Sequence, residues 1–304
     1  MSLPVSIVRR PDSDRPCYRP EIGDAQLTLQ FRQRPAPDRC LVMGVLNVTP
    51  DSFSDGGRHL ELRSAIAAGV AMAAAGADIV DIGGESTRPG SLPPGPEAEI
   101  ARIIPVIREL RSACDVLISV DTSEPTVMSA AVAAGADMLN DVRALSLPGA
   151  MAAARTAGVP VCLMHMQGTP ATMQRGPLYA DVVAEVLAFL TRRVAECVAA
   201  GLPREALILD PGFGFGKTMA HNVALMRRLG ALVATGLPVL AGLSRKALIG
   251  QLTGDENGLP AGRLGGSLAL ALMARAQGAR IVRVHDVAPT VQAFRVMDAI
   301  ESKA

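Results

Sequence analysis

The stretch AAGADIVDI (74–82) joins a helix-forming segment to a short apolar run, and two close variants of it follow along the chain: AAGADMLND (133–141) and AQGARIVRV (276–284). In each copy a glycine separates an Ala-rich segment from residues such as Val, Ile, Leu or Met. Glycine just after the last helical residue is a common left-handed helix cap. The repeat therefore predicts a helix, a cap and a strand in succession, which is the connection found in parallel α/β sheets.

Eight short apolar runs are spaced along the chain, without the strict alternation of a half-exposed strand. Such runs are typical of strands that are buried on both faces. The predicted strands occupy 41–47, 77–83, 116–122, 136–142, 159–165, 206–212, 238–244 and 279–286. The predicted helices between them include 61–76, 97–113, 124–135, 181–201 and 219–230. This order predicts an α/β fold, a (β/α)8 TIM barrel, and a doubly wound open sheet is the alternative.

The chain of 304 residues is long enough for a barrel built as a single domain. Hydrophobic residues make up 49% of it and aromatic residues only 3%, so small aliphatic side chains must form most of the core. We expect the barrel to cover 38–304. Before it lies a short N-terminal extension, 1–37, in which the alternating segment AQLTLQFR (25–32) predicts a hairpin under the barrel.

Charge, hydropathy and cysteine content argue against several classes of protein. The formal net charge of +1 argues against a dedicated nucleic-acid-binding protein. No apolar stretch is long enough to span a membrane, and the first residues carry no signal-peptide pattern. The five cysteines are scattered without CxxC spacing, which favours reduced thiols. We therefore expect a cytoplasmic protein that binds neither nucleic acid nor membrane.

The stretch DPGFGFGKT (210–218) comes close to a phosphate-binding P-loop but fails its pattern. A P-loop needs a glycine, four residues of any kind and then Gly-Lys-Ser/Thr. Counting back from the Gly-Lys pair puts Pro211 where that first glycine should be. We interpret the stretch instead as the floor of a site. Asp210 would face the ligand, the glycines would let the backbone approach a flat molecule, and Phe213 or Phe215 would offer a stacking face.

Each predicted strand is followed by polar residues, and a barrel brings the carboxyl ends of its strands to one mouth. In chain order they are Asn47; Asp81 and Glu85; Asp121; Asn140 and Asp141; His165; Asp210; Ser244, Arg245 and Lys246; and Arg283 and His285. A single Asp or Asn after a strand is usually a turn or cap residue. A full set of such ends predicts a site for a ligand that carries both hydrogen-bond donors and negative charge.

A series of motifs, in order along the chain, strongly resembles the dihydropteroate synthase family. They are VMGVLNVTPDSFSDGG (42–57), DIGGESTRPG (81–90), SVDT (119–122), LND (139–141), LMHMQGTP (163–170), DPGFGFGKT (210–218), GLSRK (242–246) and RVHDV (283–287). The likeness runs from about residue 38 to the C-terminus. It implies a (β/α)8 barrel that joins 6-hydroxymethyl-7,8-dihydropterin diphosphate to 4-aminobenzoate. The products would be 7,8-dihydropteroate, a folate precursor, and pyrophosphate.

The resemblance also implies a role for individual residues. The pterin would be bound by Asp121, Asn140, Met164, Asp210, Phe215 and Lys246. The aminobenzoate pocket and its two loops would use Thr49, Pro50, Phe53, Thr87, Arg88, Pro89 and Ser244. The diphosphate would be held by Asn47, Arg88, Arg283 and His285. Catalysis would depend on Asp121, Lys246, Arg283 and His285. A Mg²⁺ cofactor would take one protein ligand, Asn47, which fits the preference of magnesium for few protein ligands.

The reaction that the resemblance implies is a dissociative transfer. Mg²⁺ and the cations would stabilise the departing pyrophosphate, and Asp121 would stabilise a cationic pterin methylene, which the aniline nitrogen then attacks. Two alternatives stay open: a pterin-dependent methyltransferase barrel, and a pterin-binding paralogue without catalysis. The family commonly dimerises through late barrel helices. We therefore expect a homodimer whose other partners are the two small-molecule substrates.

Overall fold

The computed structural model describes residues 8–9, 16–17, 39–48, 57–85 and 95–301. The predicted hairpin segment, 25–32, lies outside them. So do the residues that the resemblance places on the two loops: Thr49, Pro50, Phe53, Thr87, Arg88 and Pro89. Within the N-terminal extension, β1 (Val8–Arg9) pairs antiparallel with β2 (Pro16–Cys17). The division of the chain at residue 38 stays a prediction.

Parallel strands form one sheet of eight, and each lies within a predicted strand. They are β3 (Leu41–Asn47), β4 (Ile79–Gly83), β5 (Leu117–Asp121), β6 (Met138–Asp141), β7 (Val161–Met164), β8 (Leu207–Asp210), β9 (Leu240–Ala241) and β10 (Ile281–Val284). Their order is β8-β7-β6-β5-β4-β3-β10-β9. Leu209 also forms a parallel bridge with Val239, next to β9, so the two edges of the sheet meet. The barrel is nearly closed, which confirms the (β/α)8 prediction over the open sheet.

Helices alternate with the strands. In the described residues they are α1 (Gly57–Ala74), α2 (Pro96–Ala113), α3 (Pro125–Ala134), α4 (Ala150–Ala157), α5 (Val182–Ala199), α6 (Met219–Arg227), α7 (Gly230–Val233), α8 (Ala247–Thr253), α9 (Leu264–Ala276) and α10 (Val287–Glu301). The glycines of the repeat, Gly76, Gly135 and Gly278, have φ values of 98°, 114° and 92°. They are therefore the left-handed caps that the sequence predicts. No helix in the described part of the chain is long and apolar enough to cross a membrane.

The amino-terminal half of the barrel interior is filled by an apolar layer. Side chains alternate between the two faces of a strand, so every second residue points inward. The apolar layer consists of Leu41, Met43, Ile79, Met138, Cys162, Ile208, Leu240 and Ile281. Two residues further along four of these strands, the inward positions hold a polar layer: Asp81, Asn140, Asp210 and Arg283. The same alternation that builds the core therefore sets charged groups directly above it, at the mouth.

Candidate active site

One row of residues runs across the mouth on four neighbouring strands. The register pairs Asn47 with Gly83, and Gly83 with Asp121. Asp121 pairs in turn with Asn140. Paired residues on parallel strands project to the same face of the sheet, so these polar side chains share the interior. A Cβ atom on Gly83 would lie 3.5 Å from the Asp121 Cβ and 3.9 Å from the Asn47 Oδ1, so the glycine leaves space between them.

The guanidinium group of Arg283 is the centre of a buried ion network. Its Nε donates to Asp81 Oδ2 at 2.6 Å, and its Nη2 donates to Asp121 Oδ2 at 2.9 Å. The same Asp81 oxygen accepts from Asn140 Nδ2 at 3.0 Å. Asp81 is fully buried, and its other oxygen has no hydrogen-bond partner among the described residues. One carboxylate thus orients both a cation and a carboxamide that the sequence places in the site.

Burial and neighbouring charge both act on the titration of this network. Burial raises the pKa of Asp121, Arg283 opposes that shift, and Asp81 adds to it. Burial lowers the pKa of Arg283, but the two aspartates outweigh it and raise that pKa above its ordinary value. Arg283 therefore stays a cation, held between two carboxylates, of which Asp121 takes up a proton at a higher pH than a free aspartate does.

Asp210 and Lys246 bring a second pair of opposite charges to the mouth. Asp210 is buried, and its Oδ1 accepts from the Gly212 N–H at 2.7 Å. Burial raises the pKa of Asp210, and the charge of Lys246 opposes this. Burial lowers the pKa of Lys246 to about 8, and Asp210 opposes this in turn. The Lys246 Nζ donates to the Phe213 carbonyl and lies 4.7 Å from the centre of the Phe215 ring, so cation, carboxylate and ring border one slot.

Two further side chains define this slot. Met164 pairs with Asp210 in the register of β7 and β8 and is almost fully buried. Its Cγ lies 3.2 Å from the position that a Cβ on Gly212 would take. Phe213 is fully buried in the core between sheet and helices, whereas Phe215 is partly accessible. Of the two loop phenylalanines, Phe215 is therefore the one that can stack on a ligand.

The glycine loop (212–217) directs its backbone carbonyls towards side-chain donors, and each of its six carbonyls accepts at least one such bond. The donors are Lys217 to Gly212 and Phe215, Lys246 to Phe213, Gln174 to Gly214, Tyr179 to Gly216 and Asn222 to Lys217. The amides at 212, 214 and 215 are hydrogen-bonded within the protein as well. A P-loop does the reverse, because its free N–H groups cradle an anion. The structure therefore supports the interpretation of the loop as a floor.

The loops after β9 and β10 are tied to each other. Ser244 Oγ lies 3.1 Å from both the backbone nitrogen and the Nδ1 of His285, so it accepts from the N–H and can donate to the ring. Arg245 donates to both Asp286 oxygens, at 2.9 and 2.5 Å. Its φ of 59° is left-handed, which costs a non-glycine residue about 1 kcal/mol or more. The ion pair offsets this strain in the residue just before Lys246.

His285 has a neutral ring at neutral pH. Burial lowers its pKa to about 4, and the charges of Arg283 and Arg245 act in the same direction. With Nδ1 facing the Ser244 hydroxyl, we assign the ring proton to Nε2. His285 therefore offers an anion a hydrogen bond rather than a positive charge.

Two polar strand-end residues turn away from the mouth, because the alternation places them on the outer face. Asp141 accepts from the Ser123 hydroxyl at 2.5 Å and from two backbone amides of the turn after β6. His165 packs edge-on against Phe189, with 5.0 Å between ring centres, and its Nδ1 lies 3.0 Å from the Lys217 Nζ. Burial lowers the pKa of His165 to about 3, so this ring is neutral too. Both residues stabilise loops.

The sequence places Asp81 among the polar strand ends but gives it no individual role, and it gives Lys217 no place in the site at all, although the structure places both there. The signal for Asp81 is its position two residues after Ile79, on the inward face of β4. For Lys217 we find no such signal. A lysine beside a glycine loop suggests an anion-binding site. That the side chain instead donates to carbonyl oxygens of the same loop becomes clear only in the folded structure.

The chain is similar in sequence and structure to known proteins. The family of pterin-binding enzymes matches residues 43–285. Dihydropteroate synthase of Escherichia coli (strain K12) is 53% identical over 258 residues, which cover 85% of this chain and 90% of that one. A solved structure of Xanthomonas albilineans dihydropteroate synthase with 4-aminobenzoic acid matches with a TM-score of 0.83 and 52% identity, over 88% of this chain and 95% of that one. The complex of the enzyme from that organism with 7,8-dihydropteroate matches with a TM-score of 0.80 and 50% identity, over the same shares of 88% and 95%.

Proposed function

This chain belongs to the family of pterin-binding enzymes, and we propose on that premise that it catalyses the dihydropteroate synthase reaction. It joins 6-hydroxymethyl-7,8-dihydropterin diphosphate to 4-aminobenzoate and releases pyrophosphate. The observation that carries the proposal is one hydrogen-bonded network at the mouth: Asp81 accepts from Asn140 and Arg283, and Arg283 also donates to Asp121. Asp210 and Lys246 add an opposite-charge pair at the same mouth.

The slot suits the pterin ring because each border answers one feature of it. The pyrimidine edge of a pterin carries N–H donors side by side, and a carboxylate such as Asp210 accepts two parallel bonds well. Lys246 is cationic at neutral pH, since burial lowers its pKa only to about 8, and it donates to the ring's acceptor atoms. Phe215 and Met164 bound the flat faces.

Arg283 serves both parts of this substrate. A carboxylate can accept at several lone pairs, so ring N–H groups can replace the Arg283 Nη2 as the partner of Asp121. The freed end of the guanidinium then turns to the diphosphate, while the Nε bond to Asp81 holds the arginine in place. His285 donates its Nε2–H to the same anion. Arg88, outside the described residues, stays a predicted third member of this set.

The residues around Asn47 fit a Mg²⁺ ion that is bound mostly by diphosphate and water. No group of three or more His, Cys, Asp or Glu side chains in the described ranges could hold a metal. Mg²⁺ commonly uses one or two protein oxygens together with substrate phosphates. Asn47 provides such an oxygen next to the space left by Gly83. When bound, Mg²⁺ neutralises charge on the departing pyrophosphate. An Asn47→Ala protein should need more Mg²⁺ for its half-maximal rate.

The chemistry that we favour is dissociative. The bond between the pterin methylene carbon and the diphosphate oxygen breaks, and its electron pair leaves with pyrophosphate. Asp121, beside the ring, stabilises the cationic methylene. The lone pair of the aniline nitrogen then forms the new C–N bond, and the nitrogen gives up one proton to solvent water. Arg283 and His285 hold the leaving anion. The mechanism therefore uses non-covalent contacts only and needs no covalent enzyme intermediate.

The decisive experiment is pyrophosphate release from the pterin diphosphate in the presence of Mg²⁺, with and without 4-aminobenzoate. We expect release that depends on aminobenzoate and matches the dihydropteroate formed. A paralogue without catalysis would bind the pterin and release nothing. A pterin-dependent methyltransferase would form no dihydropteroate either. Either outcome would rule out the proposed activity.

We also propose that the protein is a homodimer. Leu252, Met273, Val296 and Ile300 expose 49%, 48%, 55% and 78% of their surface, and they lie on α8, α9 and α10. Large apolar side chains on neighbouring helices suit a contact between copies. Light scattering of the wild type should give twice the monomer mass, and the Met273→Glu variant should have the mass of a single monomer. A monomeric wild type would contradict the proposal. The cytoplasmic location stays a prediction from the sequence.

A further inference from the structure

We infer that Lys217 is a positioning residue for the pterin slot: its ammonium group ties the glycine loop to the loop that follows β7. It thereby fixes the backbone on which Phe215 stands. The inference rests on the proposed function, because it concerns the same slot.

Lys217 uses all of its donors inside the protein. The side chain is only 3% exposed. Its Nζ lies 2.9 Å from the carbonyl oxygens of Gly212 and Phe215, 3.0 Å from His165 Nδ1 and 3.3 Å from the His165 carbonyl oxygen. An ammonium group has three N–H donors and no acceptor. Four acceptors therefore saturate it, and no donor is left for a phosphate.

The two loops that Lys217 joins are in direct backbone contact. A Cβ on Gly212 would come within 1.9 Å of the His165 carbonyl oxygen, and one on Gly216 within 2.5 Å of the Gln167 carbonyl oxygen. The negative ends of three carbonyl dipoles converge on one point, the Lys217 Nζ. Without a hydrogen-bond donor between them they would repel each other in a site with little water. The lysine is thus what allows the loops to approach so closely.

The atoms held by Lys217 lead directly to the slot. Phe215, whose carbonyl it holds, presents the ring beneath Lys246. Gly212, whose carbonyl it also holds, donates its N–H to Asp210. Burial lowers the pKa of Lys217 to about 7, and the charge of Asp210 opposes this shift. Lys217 therefore also interacts through charge with the carboxylate that is proposed to bind the pterin. A shift of about 1 Å in such groups is enough to impair a site strongly.

A matched control lies at the amino-terminal end of the barrel. Arg111 donates to the Gly135 carbonyl at 3.0 Å and to the Val116 carbonyl at 3.1 Å, and its side chain is 11% exposed. It is therefore another shielded cation that holds two backbone carbonyls, although it also pairs with Asp137, and it lies at the opposite end of the strands from the mouth. Removing it should affect stability alone.

The experiment compares Lys217→Met with Arg111→Met in the full-length protein. Binding of 6-hydroxymethylpterin, followed by its fluorescence, is measured beside binding of pyrophosphate with Mg²⁺, and thermal unfolding is recorded for each protein. We expect Lys217→Met to weaken pterin binding about tenfold or more, because unpaired buried carbonyls displace the loop. Pyrophosphate binding should stay within about twofold, because Arg283 and His285 do not touch this loop. Arg111→Met should lower the unfolding temperature and change neither affinity.

Two more variants keep the inference open to refutation. Lys217→Arg retains a cation and should recover much of the pterin affinity. If it binds pterin no more tightly than Lys217→Met does, that result would count against the positioning role of Lys217. Should Lys217→Met fail to fold, Tyr179→Phe removes only the hydroxyl that donates to Gly216, and should weaken pterin binding about threefold.

The inference is overturned by unchanged pterin binding in Lys217→Met, or in Tyr179→Phe if the first variant does not fold, or by an equal loss of pterin and pyrophosphate binding in that variant. In both cases the wild type still binds pterin and the proposed function survives. A wild type that binds no pterin would instead remove the proposed function, and this inference with it.

Discussion

The apolar layer and the polar layer of the barrel interior lie only two residues apart along the same strands, yet they have opposite effects on the stability of the fold. On β4, Ile79 is 1% exposed and Asp81 is 0% exposed. Burying an isoleucine side chain stabilises the fold by about 2 kcal/mol. Burying a carboxylate costs free energy unless a cation and hydrogen bonds satisfy it. On one strand, a distance of two residues therefore separates a side chain that stabilises the fold from a side chain that serves the ligand site.

On β10 the same two-residue step leads from the apolar Ile281 to Arg283. There the buried cation offsets the free-energy cost of burying the neighbouring carboxylates. Arg283 is the cation that makes the burial of Asp81 and Asp121 tolerable. The polar layer is thus held in place before any ligand arrives. Apart from the end of the Arg283 guanidinium that turns to the diphosphate, a substrate meets groups that are already oriented, which is the usual source of electrostatic stabilisation in enzymes. If this contrast is real, changes in the two layers should damage different properties.

Arg283→Met should have the largest effect. We expect kcat/KM to fall about 1000-fold, equivalent to about 4 kcal/mol, because the variant loses both the diphosphate contact and the orientation of Asp121. Steady-state kinetics would measure this. Arg283→Lys, which keeps the charge without the forked geometry, should lose less. A decrease below about tenfold in the Met variant would mean that the network is structural only.

Ile79→Ala should show the reverse pattern. We expect the free energy of unfolding to fall by about 3 kcal/mol, because the change leaves a cavity in the apolar layer. The pterin KM should stay within about twofold, because Asp81 keeps its hydrogen bonds. Denaturant unfolding and steady-state kinetics on one preparation would test both. Ile79→Val, with a loss of about 1 kcal/mol, is the graded control. Catalytic damage comparable to that of Arg283→Met would show that the layers are not separable.

Much of this contrast could be predicted from the sequence, because it depends on local patterns. The glycine caps and the apolar runs predict all eight barrel strands. Given the strands, the two-residue alternation places Asn140 and Asp210 at the mouth. It also places Asp81 there, but nothing in the pattern shows that this carboxylate holds Arg283 and Asn140 in position.

The remaining contacts could not be predicted because they join distant parts of the chain. Lys217 meets His165, 52 residues away, and Arg245 meets Asp286, 41 residues away. Nothing local to either residue determines that partner. The neutral state of His285 likewise depends on its burial and on nearby arginines. The sequence can thus indicate which residues enter the mouth, whereas their charge states and supports follow from packing.

Glu99 tests the cost of a buried carboxylate that forms no ion pair within the described part of the chain. It lies in α2, outside the barrel interior, and is 0% exposed. Neither carboxylate oxygen has a hydrogen-bond partner within the described ranges. Burial raises its pKa to about 7; the nearby Thr122 hydroxyl and the charge of Arg102 oppose the shift, and the charge of Glu85 adds to it. Because the folded pKa is the higher one, folding favours the protonated form. This residue's contribution to stability is therefore best at low pH and falls as the pH rises from the unfolded towards the folded pKa.

Glu99→Gln should therefore stabilise the protein only where Glu99 would be ionised. We expect a gain of about 2 kcal/mol in unfolding free energy near pH 8 and almost none near pH 4.5. Glu97→Gln, at an exposed position of the same helix, is the control and should change little at either pH. Urea unfolding at both pH values measures the difference. An equal effect of Glu99→Gln at the two pH values would refute the role of ionisation.

Ser244→Ala should have the smallest effect, because it removes a neutral contact from the mouth and no charge. The hydroxyl orients His285 through its backbone N–H and Nδ1. Its loss should raise the KM for the pterin diphosphate about fivefold, equivalent to about 1 kcal/mol, with little change in kcat. Ser123→Ala removes a buried hydroxyl that holds Asp141 on the outer face, and it should lower stability without changing KM. If the two serine variants behave alike, then facing the mouth has no special consequence for a neutral side chain, and the contrast between the layers is confined to charge.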